Sequence, residues 1–280
     1  MVLSIQEFKE AGLTKKFLTK SPLIQCITNE ITCETMANSL LYIGAKPIMA
    51  DDPREFGELF QQIDALLLNL GHISPEREEN LVQASSKINA FDKPVVVDLV
   101  GVGATQLRLQ LGKALLLNQP DVVKGNMSEM RSFCGLASNG KGVDGSQLDQ
   151  TSESLSELTM KLKELTKEYP NTVFLATGPI DLVVSSESCF QLSNGVPELD
   201  SFTGTGDIVG AIIAACLTDD YTTVEAVLTG ISYFNICGEK SRDSLGDSPA
   251  LADFRHYTLN HLSVLKEGYE WVKQIKGVDC

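Results

Sequence analysis

Ala65-Leu66-Leu67-Leu68-Asn69-Leu70 is an apolar run that stops at Gly71, and Pro94-Val95-Val96-Val97-Asp98 repeats the pattern one helix later. Between them, Ser74-Pro75-Glu76 opens a helix that reaches about residue 89, with Pro just inside its start. Runs that are apolar throughout, rather than alternating, belong to strands covered on both faces, and strand–helix alternation makes such a sheet parallel. Pro120-Asp121-Val122-Val123-Lys124 and the run 171–177 read as further strands of the same kind, and residues 106–118 and 151–168 as helices.

Upstream, residues 1–20 read as an amphipathic helix broken at Ser21-Pro22, with Ile5, Phe8, Leu13, Phe17 and Leu18 apolar. Residues 23–27 form a strand, Thr28-Asn29 is placed to cap a helix reaching Tyr42, and 47–50 is a short strand. Asp51-Asp52-Pro53 starts another helix. Downstream, a helix from Asn126 to about Gly135 is followed by a Gly/Ser/Asp-rich loop over 138–149. Residues 181–185 and 189–192 form an antiparallel hairpin, and 206–218, 222–239 and 249–275 are helical. No linker or repeat divides residues 1–280, so one domain is expected.

A net charge of -14 and a pI near 4.7 argue against a nucleic-acid partner, which needs clustered Lys and Arg. The most apolar runs, 95–104 and 208–217, are too short to span a bilayer, so no membrane role is expected. The first residues lack the basic and apolar regions of a signal peptide. The seven cysteines form no C-x-x-C pair, so reduced thiols in a cytoplasm are expected. With three histidines, a zinc site or a His-based relay finds no support, and His256 and His261 read as surface residues.

Ligands of an open parallel sheet bind beyond the carboxyl ends of its strands. The residues there are Met49, Asn69-Leu70-Gly71, Asp98, Gly101, Gly103, Lys124-Gly125-Asn126, Glu129, Thr177-Gly178 and, past the hairpin, Gly204-Thr205-Gly206-Asp207. Glycines permit close backbone approach, Asp98, Asn126 and Glu129 suit a divalent cation, and Lys124 suits a phosphate. That combination fits phosphoryl transfer, in which catalysis is mainly positioning and charge neutralisation. The turn 204–207 opens the apolar helix Ile208–Leu217, and free N–H groups at a helix start attract anions. Asp207 there is open to two readings, a plain helix cap or a catalytic acid. P-loop, G-x-G-x-x-G and G-x-S-x-G motifs are missing. Each candidate also has a plain structural reading: Met49 as core packing, Asp98 and Asn126 as caps, Lys124 as a solvated strand end, and Glu129 as a dipole partner.

Several segments together resemble the hydroxyethylthiazole kinase family. They are Pro22-Leu23-Ile24-Gln25-Cys26-Ile27-Thr28-Asn29 with Thr32, Ala37-Asn38, Gly44-Ala45 and Pro47-Ile48-Met49-Ala50, then Asp98-Leu99-Val100-Gly101-Val102-Gly103-Ala104-Thr105. Lys124-Gly125-Asn126 with Glu129, Lys141-Gly142-Val143-Asp144, Ala176-Thr177-Gly178 and Thr203-Gly204-Thr205-Gly206 continue the resemblance, which runs from about residue 10 to 275. It implies a three-layer α/β/α ribokinase-like fold with a mainly parallel sheet, and ATP- and Mg²⁺-dependent phosphorylation of the thiazole alcohol of thiamine biosynthesis. It further implies that Met49 and Gly204 contact the alcohol and that Lys124 and Thr177 bind ATP. Asn126 and Glu129, with Asp98, would organise the metal through water, and 204–206 would form an anion hole. A homotrimer with sites between subunits is implied as well. Asp207 stands where many members carry Cys, and the wider superfamily uses Asp there as the base. Gln25, Glu34, Lys46, His72 and Leu99 depart from residues common in the family. Glu34 and Lys46 flank the presumed thiazole side, which keeps open a kinase of another small heterocyclic alcohol. A non-catalytic nucleotide-binding regulator is the alternative from another class.

Overall fold

The structure is a computed structural model and describes residues 3–140, 145–146, 149 and 151–280. The Lys141–Asp144 segment of the resemblance lies outside the described residues.

One nine-stranded sheet organises the chain, in the order β2-β1-β3-β4-β5-β6-β7-β8-β9. Strands β1 (Leu23–Ile27), β2 (Lys46–Ile48), β3 (Ala65–Asn69), β4 (Val95–Asp98), β5 (Val122–Asn126) and β6 (Val173–Thr177) are parallel. The hairpin β7 (Asp181–Val184) and β8 (Cys189–Leu192), followed by β9 (Gly277–Asp279), completes the sheet in antiparallel fashion.

Alternate strand residues feed two separate cores, which makes three layers. Ile24, Cys26, Leu67 and Val96 pack under α1 (Ile5–Gly12), α2 (Cys33–Ile43), α8 (Thr205–Cys216), α9 (Thr223–Leu245) and α10 (Leu251–Val264). Leu66, Leu68, Val95 and Val97 pack under α3 (Phe56–Gln62), α4 (Pro75–Ile88), α5 (Gln106–Leu116), α6 (Met127–Phe133) and α7 (Ser152–Glu168). Each fully buried Leu or Val contributes about 1.5–3 kcal/mol, so a one-residue register slip would be prohibitive. Helix α8 is buried along nearly its whole length, as an all-round apolar helix must be.

Several elements differ from the sequence expectations. The first helix covers only 5–12, closed at its start by a Ser4–Glu7 capping box, and Phe17 is buried beyond it, stacked on Tyr233. The helix after Pro53 begins at Phe56. Asn29 does not cap α2, which starts at Cys33 after Thr32. The C-terminal helix ends at Val264, and two short 3-10 turns lead to β9. This last difference also corrects the expectation of reduced thiols. Pairing of β9 with β8 brings Cys280 N–H onto the Cys189 carbonyl at 2.9 Å, and a disulfide joins the two residues across a Cα separation of 5.0 Å. Cys26, Cys33, Cys134, Cys216 and Cys237 are free.

Candidate active site

Three neighbouring parallel strands carry polar residues at or near their carboxyl ends that stand in register, Asn69 opposite Asp98 and Asp98 opposite Lys124. By strand alternation they share the sheet face covered by α8. All three side chains are buried, Lys124 at 2% relative exposure and Asp98 at 0%. Lys124 Nζ meets Asp98 Oδ2 at 2.9 Å. Burial pushes the Asp98 carboxyl up from its ordinary range, and the Lys124 ammonium opposes that shift. Asp98 Oδ1 is enclosed with no hydrogen-bond partner among the described residues.

The start of α8 sits over this row. Gly204 is its N-cap residue with φ 96°, a left-handed conformation that glycine adopts without strain. A Cβ on Gly204 would lie 2.7 Å from Thr32 Cγ2, so the turn can approach Thr32 only without a side chain. No side chain caps the first turn, which leaves N–H groups of the turn available to an anion. A Cβ on Gly206 would stand 3.4 Å from Lys124 Nζ, so the ammonium lies beside the same turn.

Asp207, in the first turn of α8, is buried and held by three side chains. Its Oδ2 accepts from Asn29 Nδ2 at 3.0 Å and from the Thr32 hydroxyl, and its Oδ1 accepts from Asn69 Nδ2 at 2.9 Å. An acid that merely capped its own helix would not need donors from β3 and from the loop after β1. Asn29 Oδ1 in turn accepts from the Thr32 backbone N–H at 3.0 Å, which orders the loop.

A second cluster lies at the ends of β5 and β6. Asn126 caps α6, taking the Glu129 N–H at 2.8 Å, while Glu129 Oε2 takes the Asn126 N–H at 2.7 Å. Glu129 Oε1 accepts from Gly101 N–H at 2.7 Å, which ties the loop after β4 to α6. Burial pushes the Glu129 carboxyl up to about 7, against the pull of the two N–H donors. The capping reading of Asn126 and Glu129 is therefore real, and any metal role uses the remaining lone pairs. Thr177 stands opposite Asn126 in the register. Met49 follows edge strand β2 and packs against the core, outside the polar network. Gln25 fixes the backbone next to it, donating to the Ala50 carbonyl at 2.8 Å, and its own buried Oε1 has no partner among the described residues. Glu34, Lys46 and His72 are exposed.

Sequence reading missed the supporting roles of Asn29, Thr32 and Asn69, although a polar residue closing an apolar strand was a usable signal at Asn69. It also missed Arg108, whose guanidinium donates to the carbonyls of Leu70, Gly71 and Val100 and ties the ends of β3 and β4 together. The fifth omission is Asp181. Its buried carboxylate accepts from Gly178 N–H at 3.0 Å and Asn235 Nδ2 at 2.7 Å, anchoring the turn after Thr177 to α9.

Burial raises the Asp181 carboxyl from 3.8 to about 7. The folded chain thus keeps a proton that the unfolded chain has released, and stability falls as pH rises through that window. Asp181→Asn is expected to flatten the pH dependence of Tm between pH 4 and pH 7, approximately the span of that shift. Parallel Tm–pH curves for the two proteins would contradict this.

The family pattern of the hydroxyethylthiazole kinases matches residues 14–268. The chain belongs to the hydroxyethylthiazole kinase family. Proteins named hydroxyethylthiazole kinase from Lacticaseibacillus casei and Enterococcus faecalis are 58% and 57% identical to it, over 96% and 93% of this chain and 96% and 94% of theirs. The solved hydroxyethylthiazole kinase of Pyrococcus horikoshii is 27% identical, with a TM-score of 0.79 over 99% of this chain and 98% of that one. A ribokinase-like superfamily protein of Enterococcus faecalis, 13% identical with a TM-score of 0.63 over 95% of each chain, shares the fold. The three-layer α/β/α architecture is thus ribokinase-like, and the hydroxyethylthiazole kinase resemblance read from the sequence motifs is the family itself.

Proposed function

We propose that this protein transfers the γ-phosphoryl group of ATP to the hydroxyl of 4-methyl-5-(2-hydroxyethyl)thiazole, in thiamine biosynthesis and salvage. The observation that carries this reading is the Asp207 carboxylate, fixed by three donors beside an uncapped helix start and the Lys124 ammonium. The alcohol oxygen attacks the γ-phosphorus in line, the bond to the β,γ-bridging oxygen breaks, and the alcohol proton goes to Asp207. Gly204, Thr205 and Gly206 form the anion hole for the transferring group, and Lys124 neutralises phosphate charge. Thr177 lines the nucleotide side, with Asp181 holding its turn, while Met49 and Gly204 face the thiazole.

No three His, Cys, Asp or Glu side chains among the described residues converge on a metal position. That suits Mg²⁺, which keeps its waters and binds largely through phosphate oxygens. Asp98, Asn126 and Glu129 each offer side-chain oxygen and would hold it through water. When bound, the ion supplies charge neutralisation at the phosphates.

The protein acts as a single domain, a reading supported by one sheet that draws strands from both ends of the chain. It works as a homotrimer with sites between subunits. Leu41 and Tyr42 on α2, Leu251 and Tyr257 on the adjoining α10, and Ile31 next to the Asp207 network are exposed apolar residues that a neighbour would cover. A monomer mass in solution would reject that assembly. No helix among the described residues is long and apolar enough to cross a membrane, in keeping with a cytoplasmic enzyme.

The test of the activity is ADP release by the purified protein with ATP, Mg²⁺ and a panel of small alcohols. Thiazole-dependent release is expected. Release with only another heterocyclic alcohol would transfer the reading to that substrate, and ATP binding without acceptor-dependent turnover would leave a regulator.

A further inference from the structure

Asn69 is fully buried, and its amide lies between the two carboxylates of the site. Its Nδ2 donates to Asp207 Oδ1 at 2.9 Å and to Asp98 Oδ2 at 3.2 Å, so both amide hydrogens end on carboxylates. Its Oδ1 accepts from the Gly71 N–H at 2.8 Å and from Asn29 Nδ2 at 3.4 Å. Turning the amide over would set oxygen against two carboxylates and nitrogen against two N–H donors. The orientation is therefore locked from both ends.

The locked amide has a consequence for Asp207. A carboxylate offers about four lone-pair directions. Among the described residues, Asp207 Oδ2 receives two donors, Asn29 and Thr32, while Oδ1 receives Asn69 alone. One direction on Oδ1 is left for an incoming proton. Among these three donors, only Asn69 also grips Asp98, which is paired with Lys124, the cation beside the anion turn.

We propose that Asn69 is a positioning residue for phosphoryl transfer, holding Asp207 so that Oδ1 faces the acceptor hydroxyl and takes its proton. The proposal rests on the reading of Asp207 as the base. In the step, the hydroxyl oxygen bonds to the γ-phosphorus and the bridging oxygen leaves with its electron pair on ADP. The hydroxyl proton ends on Asp207 Oδ1. Asn69 itself touches neither substrate, so its loss acts through the orientation of the base.

A double-mutant cycle between Asn69→Ala and Asp207→Asn tests this, read as kcat and both KM values, with nucleotide binding and Tm measured on every variant. Asn69→Ala is expected to lower kcat on the order of 30-fold, with KM for ATP and for the alcohol changed by less than about threefold. In the Asp207→Asn background the same substitution should change kcat by less than about threefold, because the group it positions is already gone. An equal loss in both backgrounds, or near-normal kcat in Asn69→Ala, overturns the proposal. Normal turnover by Asp207→Asn alone would instead remove the base reading, and this proposal with it. If Asn69→Ala does not fold, Asn69→Ser goes through the same cycle against the same two criteria.

Discussion

In Asp207→Asn, kcat is expected to fall by about 10²-fold or more, while nucleotide binding stays close to that of the parent protein. The substitution keeps the volume and removes the capacity to take a proton, together with the negative charge and one acceptor position. Its cost to the fold follows from the hydrogen bonds. Asn29, Thr32 and Asn69 all donate to the carboxylate, and an amide can accept at one of its two positions only. One donor is left facing another, a loss of about 1–3 kcal/mol that leaves a typical enzyme folded. Kinetics and nucleotide titration on the same sample separate the two effects. Near-normal turnover would take Asp207 out of the base role, and loss of nucleotide binding would make its role structural.

The cluster around Asp207 shows which parts of such a site a sequence displays. Asn69, Asp98 and Lys124 end apolar strands, so their position at the sheet edge follows from pattern alone. Their mutual register does not, because it depends on how β3, β4 and β5 pair. Gly204 and Gly206 were visible as a turn, but the reason for glycine at 204 is its contact with Thr32, a residue 172 positions away. Asn29 looked like a helix cap because its side-chain oxygen can accept from nearby backbone N–H groups, whereas the acceptor of its Nδ2, Asp207, belongs to α8. At the C-terminus the same limit applies. Residues 265–275 carry a helix-like apolar pattern, yet Trp271, Val272 and Ile275 are buried from short turns that steer Gly277–Asp279 onto β8. Without that strand, nothing in the spacing of Cys189 and Cys280 suggests their pairing.

Lys124→Met is expected to be the most damaging single change to stability in the site. The buried Lys124–Asp98 pair at 2.9 Å keeps a carboxylate in an apolar core, and removing the cation strands it. Breaking a buried pair from one side costs about 3–5 kcal/mol, a large part of the net stability of a typical domain. The sign of the pH dependence follows from burial, which already raises the Asp98 carboxyl. With Lys124 gone, the folded form favours protonated Asp98, so the stability deficit should be smaller near about pH 5 than near about pH 8. Asp98→Asn in the same chain removes the stranded charge, and the double variant should recover most of the lost Tm. On the proposed mechanism it should turn over less than the Asp98→Asn single variant, because it lacks the ammonium beside Gly206 as well as the Asp98 carboxylate placed at the metal. Thermal melting and ADP release on Lys124→Met, Asp98→Asn and the double variant therefore separate the two roles of one lysine. Turnover restored along with Tm would mean that Lys124 only balances Asp98, and the phosphate role would pass to the N–H groups of the 204–207 turn.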